Sequence, residues 1–351
     1  MFKKIIILFY LVQFLTVSSQ AQSLKPTFSR EFNLDGPIIY FIEVEPYELR
    51  VEILVKGPLL VELLNYPVAD NKTISVGEQD SFKERAQQYF KNHFTLSLDG
   101  IPSAHDTSKA NFLKIGDANS VIKEKAIDEP IDEAVIGLTF TFSLDQIPEF
   151  FQLNLSELPK NTARLPVRVQ ALDRIQYFEF SEYLLTVDWS RQGLEFRPPE
   201  VKPVKVVRTN WLGSPKLNAK EAVAALEQLL NNIYAAFEYQ QESSIYDKLA
   251  VSVAGEQLAS LYLEQKRRME AVNRGGARVK ILDIVMGEVK NLSKSGRSFI
   301  VTGQWEVTGK VTHFGHTHER LNRYQAKFAL ISIEKQWLIS DIEVTDESRI
   351  K

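Results

Sequence analysis

The sequence predicts an α+β protein: an N-terminal antiparallel β-sandwich followed by a conical α+β domain with helices packed on a bent antiparallel sheet. Two observations support this. Strand patterns dominate residues 27–195, and several segments there alternate apolar and polar residues with a period of two, as in strands with one buried face. Helical periodicity begins after residue 215, and four long strands follow it. The expected segments are a β-sandwich at residues 22–196, a proline-containing linker at 197–214 and the α+β domain at 215–351.

Strands dominate the first half. Residues 47–55 alternate apolar side chains with Glu48, Arg50 and Glu52, which predicts a strand with one face in the core and the other in water. The same period recurs at residues 136–144, 165–171 and 183–189, and a helix is predicted around residues 81–92. Several antiparallel strands separated by turn residues are typical of a sandwich.

The second half begins with helices. Residues 197–204 form a stiff, proline-rich connector, and the chain up to about Leu212 has the option of pairing with a sheet edge. Asn218 and Glu221 form a capping-box pattern, which predicts the start of a helix that runs to about Tyr239. Further helices are expected at residues 243–251 and 256–273, and strands at 279–289, 298–313, 316–333 and 336–345.

The two longest predicted strands form one β-hairpin. A two-residue turn at Phe314-Gly315 pairs His313 with His316. A slip of one residue would place apolar side chains on both faces, so the register is well specified. One face then passes from an apolar core to a polar cluster, and its candidate ligand-binding residues are Trp305, His313, His316, His318, Arg320, Asn322 and Tyr324.

We expect this face to bind a small polar or anionic ligand, because a pocket needs only a few convergent polar groups. One alternative is that the tip is solvated and its polar residues only cap the core. Another is a zinc site at His313, His316 and His318, since imidazoles are zinc ligands. No carboxylate that would orient these imidazoles is evident, so we predict no metal and no cofactor.

Acid–base catalysis would require carboxylates on the same face. A turn at residues 334–335 would allow Asp341 and Glu343 to point inward, and Asp283 is a third candidate. Apolar residues (Leu338, Ile342 and Val344) lie on the other face of that strand, so the sequence leaves open which of its faces is inward. The chain contains no nucleophile elbow, phosphate-binding glycine loop or zinc-protease helix. The sequence therefore favours a ligand-binding or protein-interaction role without a catalytic residue; the alternative is a lyase or isomerase that acts in the C-terminal pocket.

The order of elements over residues 215–348, with its closing Trp337-Leu338-Ile339 strand, resembles the nuclear transport factor 2-like fold, also called SnoaL-like and grouped with cystatin-like α+β folds. Residues 315–320 (GHTHER) also look like a signature of an uncharacterised family of exported proteins with this fold. The resemblance implies helices that close over a bent sheet, a conical pocket and a homodimer through the open sheet. No position matches the family's catalytic Asp or Asp/His pair.

Residues 1–21 are predicted to be a signal peptide, with Lys3-Lys4, a short apolar run and small residues at Ser19 and Ala21 before the cleavage point. We therefore expect an exported protein, periplasmic or extracellular, with no membrane span after cleavage and with an envelope protein as its second expected partner. Cleavage leaves 40 basic and 45 acidic residues. This mild, interspersed charge predicts no basic stripe for nucleic acid or anionic lipid. The absence of cysteine excludes thiol chemistry.

Overall fold

The computed structural model describes residues 36–67, 72–115, 120–123, 125–239, 242–273 and 278–350. The predicted signal peptide, residues 1–21, lies outside these ranges. Within them the chain is α+β, as predicted. No helix in the described ranges is both long enough and apolar enough to cross a bilayer.

The N-terminal half is built mainly from short strands. In chain order its elements are β1 (Ile38–Glu45), β2 (Glu48–Lys56), α1 (Gly57–Leu64), β3 (Thr73–Ile74), α2 (Gln79–His93), β4 (Phe94–Leu98), β5 (Ile101–Ser103), β6 (Thr107–Ile115), β7 (Ser120–Ile122), β8 (Glu129–Pro130), β9 (Val135–Ser143), β10 (Phe150–Leu155), β11 (Arg164–Ala171), β12 (Arg174–Ser181) and β13 (Thr186–Ser190). They form a seven-stranded sheet in the order β12-β11-β1-β2-β9-β6-β7, a four-stranded sheet in the order β13-β10-β4-β5, and the pair β3-β8.

Both larger sheets and α2 contribute to one apolar core. Tyr40, Val51 and Phe140 reach it from the seven-stranded sheet, Phe151 from the four-stranded sheet and Phe82 from α2. One pairing differs from the antiparallel prediction, because β1 runs parallel to β11. A parallel neighbour is joined by a long crossover, and alternation within a strand does not reveal the direction of its neighbours.

The C-terminal half follows the predicted order of elements. They are β14 (Val204–Lys205), β15 (Arg208–Thr209), β16 (Pro215–Lys216), α3 (Ala219–Ala236), α4 (Glu242–Ala250), α5 (Glu256–Asn273), β17 (Arg278–Ser295), β18 (Ser298–His313), β19 (His316–Ile333) and β20 (Gln336–Arg349). The main sheet has the order β14-β20-β19-β18-β17 and is called the C-terminal sheet below. The Asn218–Glu221 capping box is present at the start of α3.

The predicted linker contributes a strand to this sheet. Val204 and Lys205 of β14 pair with Trp337 and Gln336 of β20, which is the edge pairing that the sequence left open. The apolar residues of α3, including Leu226 and Leu229, pack on the inner face of the C-terminal sheet. The buried residues of the first main core lie between positions 38 and 189, and those of the second between positions 222 and 342. The domain limits at residues 196 and 214 stay a prediction.

The tip of the β18–β19 hairpin docks on the seven-stranded sheet, on the face opposite the sandwich core. Phe314 is buried there in a small apolar cluster with Ile39, Phe41, Leu54 and Leu113. Gly137 of β9 leaves room for the phenyl ring, since a Cβ at that position would overlap it. The docking therefore joins the N-terminal sheet to the ribbon that carries the candidate ligand-binding residues.

Phe314 adopts a left-handed backbone conformation, with φ 45°, and Gly315 follows with φ 72°. Positive φ at both central residues is the geometry of a type I′ hairpin turn, in which asparagine or aspartate usually precedes glycine. A phenylalanine in this conformation is strained by roughly 1 kcal/mol or more. The burial of its ring explains why the chain tolerates this strain.

Charged residues beside this contact form a buried ion cluster. Arg50 lies within ion-pair distance of Glu43, Glu48 (3.3 Å from Nε to Oε1) and Glu52 (3.7 Å from Nη1 to Oε1). All four side chains are buried. The outer face of β2, expected to be in water, is thus covered: the backbone N–H of Phe314 donates a hydrogen bond to the Glu52 carboxylate.

Burial raises the pKa of Glu52 to about 8, and the nearby charge of Glu43 adds to this rise. Arg50 and the hydrogen bond from the Phe314 N–H act in the opposite direction. On the other side of the tip, the Arg168 guanidinium donates a hydrogen bond to the backbone carbonyl of Gly315. The tip is therefore held by apolar packing, by a buried carboxylic acid and by a cation.

Candidate functional site

The backbone of the hairpin has the predicted register. Across β18 and β19, His313 lies opposite His316, Gly309 opposite Arg320, and Trp305 opposite Tyr324. The side chains of the three tip histidines, including His318, lie outside what the structure describes, so their place in a ligand or zinc site stays a prediction. In the part of the chain that the structure describes, no group of three or more His, Cys, Asp or Glu residues is arranged to hold a metal.

Trp305 and Tyr324 stack in the interior of the C-terminal half. Their ring centroids are 5.3 Å apart with an interplanar angle of 22°. Both side chains are buried, and the Trp305 indole N–H donates a long hydrogen bond of 3.5 Å to the hydroxyl of Tyr234 on α3. Both rings belong to the apolar core of the C-terminal half, so Trp305 packs beside the candidate site and is not exposed in it.

Polar side chains follow Tyr324 toward the hairpin tip. Asn322 is buried, and its Nδ2 donates to the Tyr324 hydroxyl at 3.1 Å. The Asn322 Oδ1 is also buried and has no hydrogen-bond partner among the described residues. The Tyr324 hydroxyl in turn donates to the carboxylate of Glu347. A buried amide and a hydroxyl with remaining capacity to bond can orient a polar ligand.

Two arginines lie on the same inward register as these groups. Arg320 is half-buried on β19, and Gly309 opposite it leaves space above the strand. Arg349 of β20 lies opposite Asn322. Burial lowers the pKa of Arg320, and the positive charge of Arg349 lowers it further. We call Arg320, Asn322, Tyr324, Glu347 and Arg349 the arginine cluster.

Glu347 is the carboxylate that reaches this cluster. Burial raises its pKa above the usual range of a glutamate, while the hydrogen bond from Tyr324 opposes that rise. Sequence reasoning missed Glu347 and Arg349 because it ended the last strand at Thr345, whereas β20 continues to Arg349. Residues 345–349 are all polar, so no alternation of apolar and polar side chains marked the continuation of the strand.

The three carboxylates considered from the sequence lie elsewhere. Asp283, Asp341 and Glu343 are all exposed. Two bulges shift the register of β20, so that Phe328 lies opposite Ile342 instead of Asp341. The inserted residues are Ser340 and Thr345, whose hydroxyls donate to carbonyls of β19 at 3.2 Å. The expectation that these acids could face the pocket is therefore wrong, because a bulge exchanges the two faces of a strand.

Two surface cavities lined by described residues lie away from the cluster. One, of about 450 Å³, lies between polar residues of β17, β18 and β19 such as Lys290 and Gln304. The other, of about 160 Å³, lies between β14, α3 and Trp337. Neither includes Arg320 or Tyr324 in its lining.

No protein-family model matches the chain, and no curated protein matches it. Among solved structures, the intermembrane-space region of the chloroplast protein ARC6 is similar at 16% identity, with a TM-score of 0.28, over 37% of this chain and 98% of that one. An NTF2-like protein involved in plasmid conjugation is similar at 10% identity, with a TM-score of 0.17, over 82% of this chain and 95% of that one. At such scores neither similarity carries an argument, and no family is shown.

Proposed function

We propose that the protein is a binding protein whose C-terminal half holds a small anionic ligand at the arginine cluster. The observation that carries the proposal is that Arg320, Asn322 and Arg349 share one face of β19 and β20, where the buried Asn322 Oδ1 has no hydrogen-bond partner among the described residues. Two cations on one face attract a bound anion more strongly than one cation does. Guanidinium groups also match carboxylates and phosphates through paired hydrogen bonds.

The neighbouring groups narrow the chemistry of the ligand. Asn322 and Tyr324 offer neutral hydrogen bonds at the base of the cluster. Glu347, however, adds a negative charge or an acceptor beside them, which disfavours a ligand that is anionic throughout. A ligand with a carboxylate at one end and a hydroxyl or amine donor at the other fits both features. Small hydroxy acids and amino acids belong to this class.

Replacing Arg320 with alanine is expected to weaken binding of such a ligand about 10- to 100-fold, since hydrogen bonds to charged groups contribute about 1.5–3 kcal/mol. A thermal-shift screen of small carboxylates, amino acids and phosphates would identify the ligand, and calorimetry would measure the loss. Arg323→Ala is the matched control, because Arg323 lies on the same strand but pairs with Glu306 on the exposed face. Equal losses in the two variants, or no compound that stabilises the wild type, would contradict the proposal.

A lyase or isomerase is the second candidate function, and Glu347 favours it. A half-buried carboxyl group with a raised pKa beside a tyrosine hydroxyl is the kind of group that can act as a general acid or base. The candidate requires that a bound ligand be chemically converted.

If conversion occurs, Glu347→Gln is expected to slow it about 10²- to 10⁴-fold, the range that a general acid or base contributes, while ligand binding is retained. Proton NMR of the ligand after incubation with each protein measures the conversion. Recovery of unchanged ligand from the wild type would exclude the lyase or isomerase function. Equal conversion by both proteins would exclude Glu347 as the general acid or base.

A protein-interaction role is supported separately by the edge of the N-terminal sandwich. β12 is an edge strand of the seven-stranded sheet, and Ile175 and Tyr177 on it are exposed. Exposed apolar residues on a sheet edge are typical of surfaces to which another chain adds a strand. An envelope protein is the partner that we propose for this edge. The homodimer implied by the resemblance stays a prediction.

A further inference from the structure

The short β15–β16 hairpin presents an apolar tip to solvent. Trp211 is 90% exposed and Leu212 is 67% exposed, and Val207 at the base of the hairpin is 82% exposed. Large apolar side chains that are fully exposed on a single short element usually mark a surface that is covered by something else. We call residues 210–214 the Trp211 loop.

The Trp211 loop is held in one conformation. The backbone N–H of Asn210 donates to the carbonyl of Ser214 at 2.8 Å, and the Gly213 N–H donates to the Asn210 carbonyl at 3.0 Å. The Asn210 side chain closes the loop by accepting from the Ser214 N–H at 2.7 Å. These bonds fix the turn while its two apolar side chains project outward, so their exposure is built into the hairpin.

Positive charge predominates in the chain segments on both sides of this loop. Residues 201–220 contain no acid and five cations, namely Lys202, Lys205, Arg208, Lys216 and Lys220. All five are exposed. Ion pairs with Glu200 and Glu221 offset two of them, which leaves a local excess of positive charge in a chain whose net charge is −3. The average charge of the chain conceals this local excess.

The apolar surface continues from the hairpin into the cavity of about 160 Å³ beside α3. Val207 and Leu217 line this cavity together with Trp337, and the charged residues in its lining are Lys205, Lys216 and Glu221. Apolar surface with lysines at its border is the arrangement found where proteins meet the interfacial layer of a membrane.

We propose that the Trp211 loop inserts into the surface of a bilayer rich in anionic phospholipid. Tryptophan has an apolar ring and a polar N–H, which suits it to the headgroup boundary. Lysines next to such an anchor are attracted to the negative surface potential of the bilayer. An exposed apolar tip flanked along the chain by exposed cations fits a flat anionic surface, whereas a protein groove would have to supply both a concave apolar socket and an acidic rim.

The test uses the fluorescence of Trp211, because the other tryptophans (Trp189, Trp305 and Trp337) are buried. Full-length protein is mixed with vesicles of phosphatidylcholine, with or without about 30% phosphatidylglycerol, that contain brominated acyl chains. We expect the emission to shift to the blue and to be quenched only when phosphatidylglycerol is present. Added salt should weaken this response, because it screens the attraction.

Two variants separate the contributions of charge and of apolar insertion. Lys205→Gln combined with Lys216→Gln is expected to reduce the affinity for these vesicles about 30-fold, given the attraction of each lysine to an anionic surface. Leu212→Ser is expected to reduce it about tenfold or more, since an aliphatic side chain no longer leaves water. Neither substitution alters the reporting tryptophan.

The turn after β12 supplies the matched control. Tyr183 is also 90% exposed and Leu184 follows it, but residues 175–190 carry three acids and no cation. In a Trp211→Tyr, Tyr183→Trp double variant the exposed tryptophan should not be quenched. Equal quenching at the two sites, or none at Trp211 in the wild type, would overturn the proposal. Protection of Trp211 from acrylamide by a soluble protein fraction, without a response to vesicles, would instead assign the tip to a protein groove and overturn it too.

Discussion

Replacing Phe314 with asparagine is expected to release the hairpin tip from the N-terminal sheet and to lower the free energy of unfolding by about 3–4 kcal/mol. The phenyl ring is buried against Ile39, Phe41 and Leu54, and this packing is lost. Asparagine is the residue that a type I′ turn favours before glycine, so the hairpin itself should persist. Urea denaturation followed by tryptophan fluorescence measures the change, and we expect one transition for the wild type and two for Phe314→Asn.

The β19–β20 turn provides the control for this substitution. Glu334 and Lys335 also have positive φ values, of 50° and 62°, but the turn is exposed. Glu334→Asn should therefore leave stability unchanged or raise it slightly. Gly137→Ala disrupts the same contact from the sandwich side. It should lower the free energy of unfolding by about 1–3 kcal/mol, because the added Cβ displaces the Phe314 ring. If Phe314→Asn behaves like Glu334→Asn, the docking contributes nothing to stability.

Stability is expected to fall by roughly 2–5 kcal/mol as the pH rises from about 5 to about 8.5, because of Glu52. Its pKa of about 8 in the folded protein lies well above that of an unfolded glutamate. The folded state therefore binds the proton more tightly, and this stabilisation is complete below the unfolded pKa. It is lost as the pH rises through the folded pKa, when a charge appears beside Glu43 and Glu48 with only Arg50 to balance it.

Glu52→Gln tests whether Glu52 causes the pH dependence of stability, because glutamine remains neutral and can still accept a hydrogen bond from the Phe314 N–H. Denaturation at several pH values should show a flatter profile for this variant. Glu179→Gln is the control, since Glu179 lies in the same sheet but pairs with Arg164 at the surface. Burial lowers the pKa of His93, so this residue makes the folded protein less stable as the pH falls below about 6.5. This dependence is opposite to that of Glu52 and should become visible in Glu52→Gln. An unchanged profile in Glu52→Gln would rule out Glu52 as the cause.

The register of the β18–β19 hairpin was predictable from the sequence, because only one pairing keeps Trp305, Phe328 and their neighbours on a single face and places glycine in the turn. The order of elements in the C-terminal half followed from the change of period near Asn218. These features depend on local patterns along one or two adjacent strands, which a sequence displays directly.

The features that the sequence did not predict depend on segments far apart in the chain. Glu52 and Arg50 alternate with apolar residues like any solvated face, and only the docking of residue 314 makes that face interior. The bulge at Ser340 moves the inward side chains of β20 from odd positions such as Ile339 to even positions such as Ile342. The sequence shows this change of parity, but it does not fix the residue at which the bulge lies. As a result Asp341 was wrongly considered for the pocket, and Glu347 was missed.

The parallel pairing of β1 with β11 constrains the order in which the chain can fold. Tyr40 pairs with Val167, so most of the N-terminal half is enclosed in the loop between them. Contacts that close long loops form slowly, because chain entropy is lost before the contact forms. The outer face of β1 is covered only when Phe314 docks on it, and Phe314 is synthesised after residue 167. During synthesis Ile39 and Phe41 therefore stay open to aggregation until nearly the whole chain exists, and the hairpin tip ends that exposure.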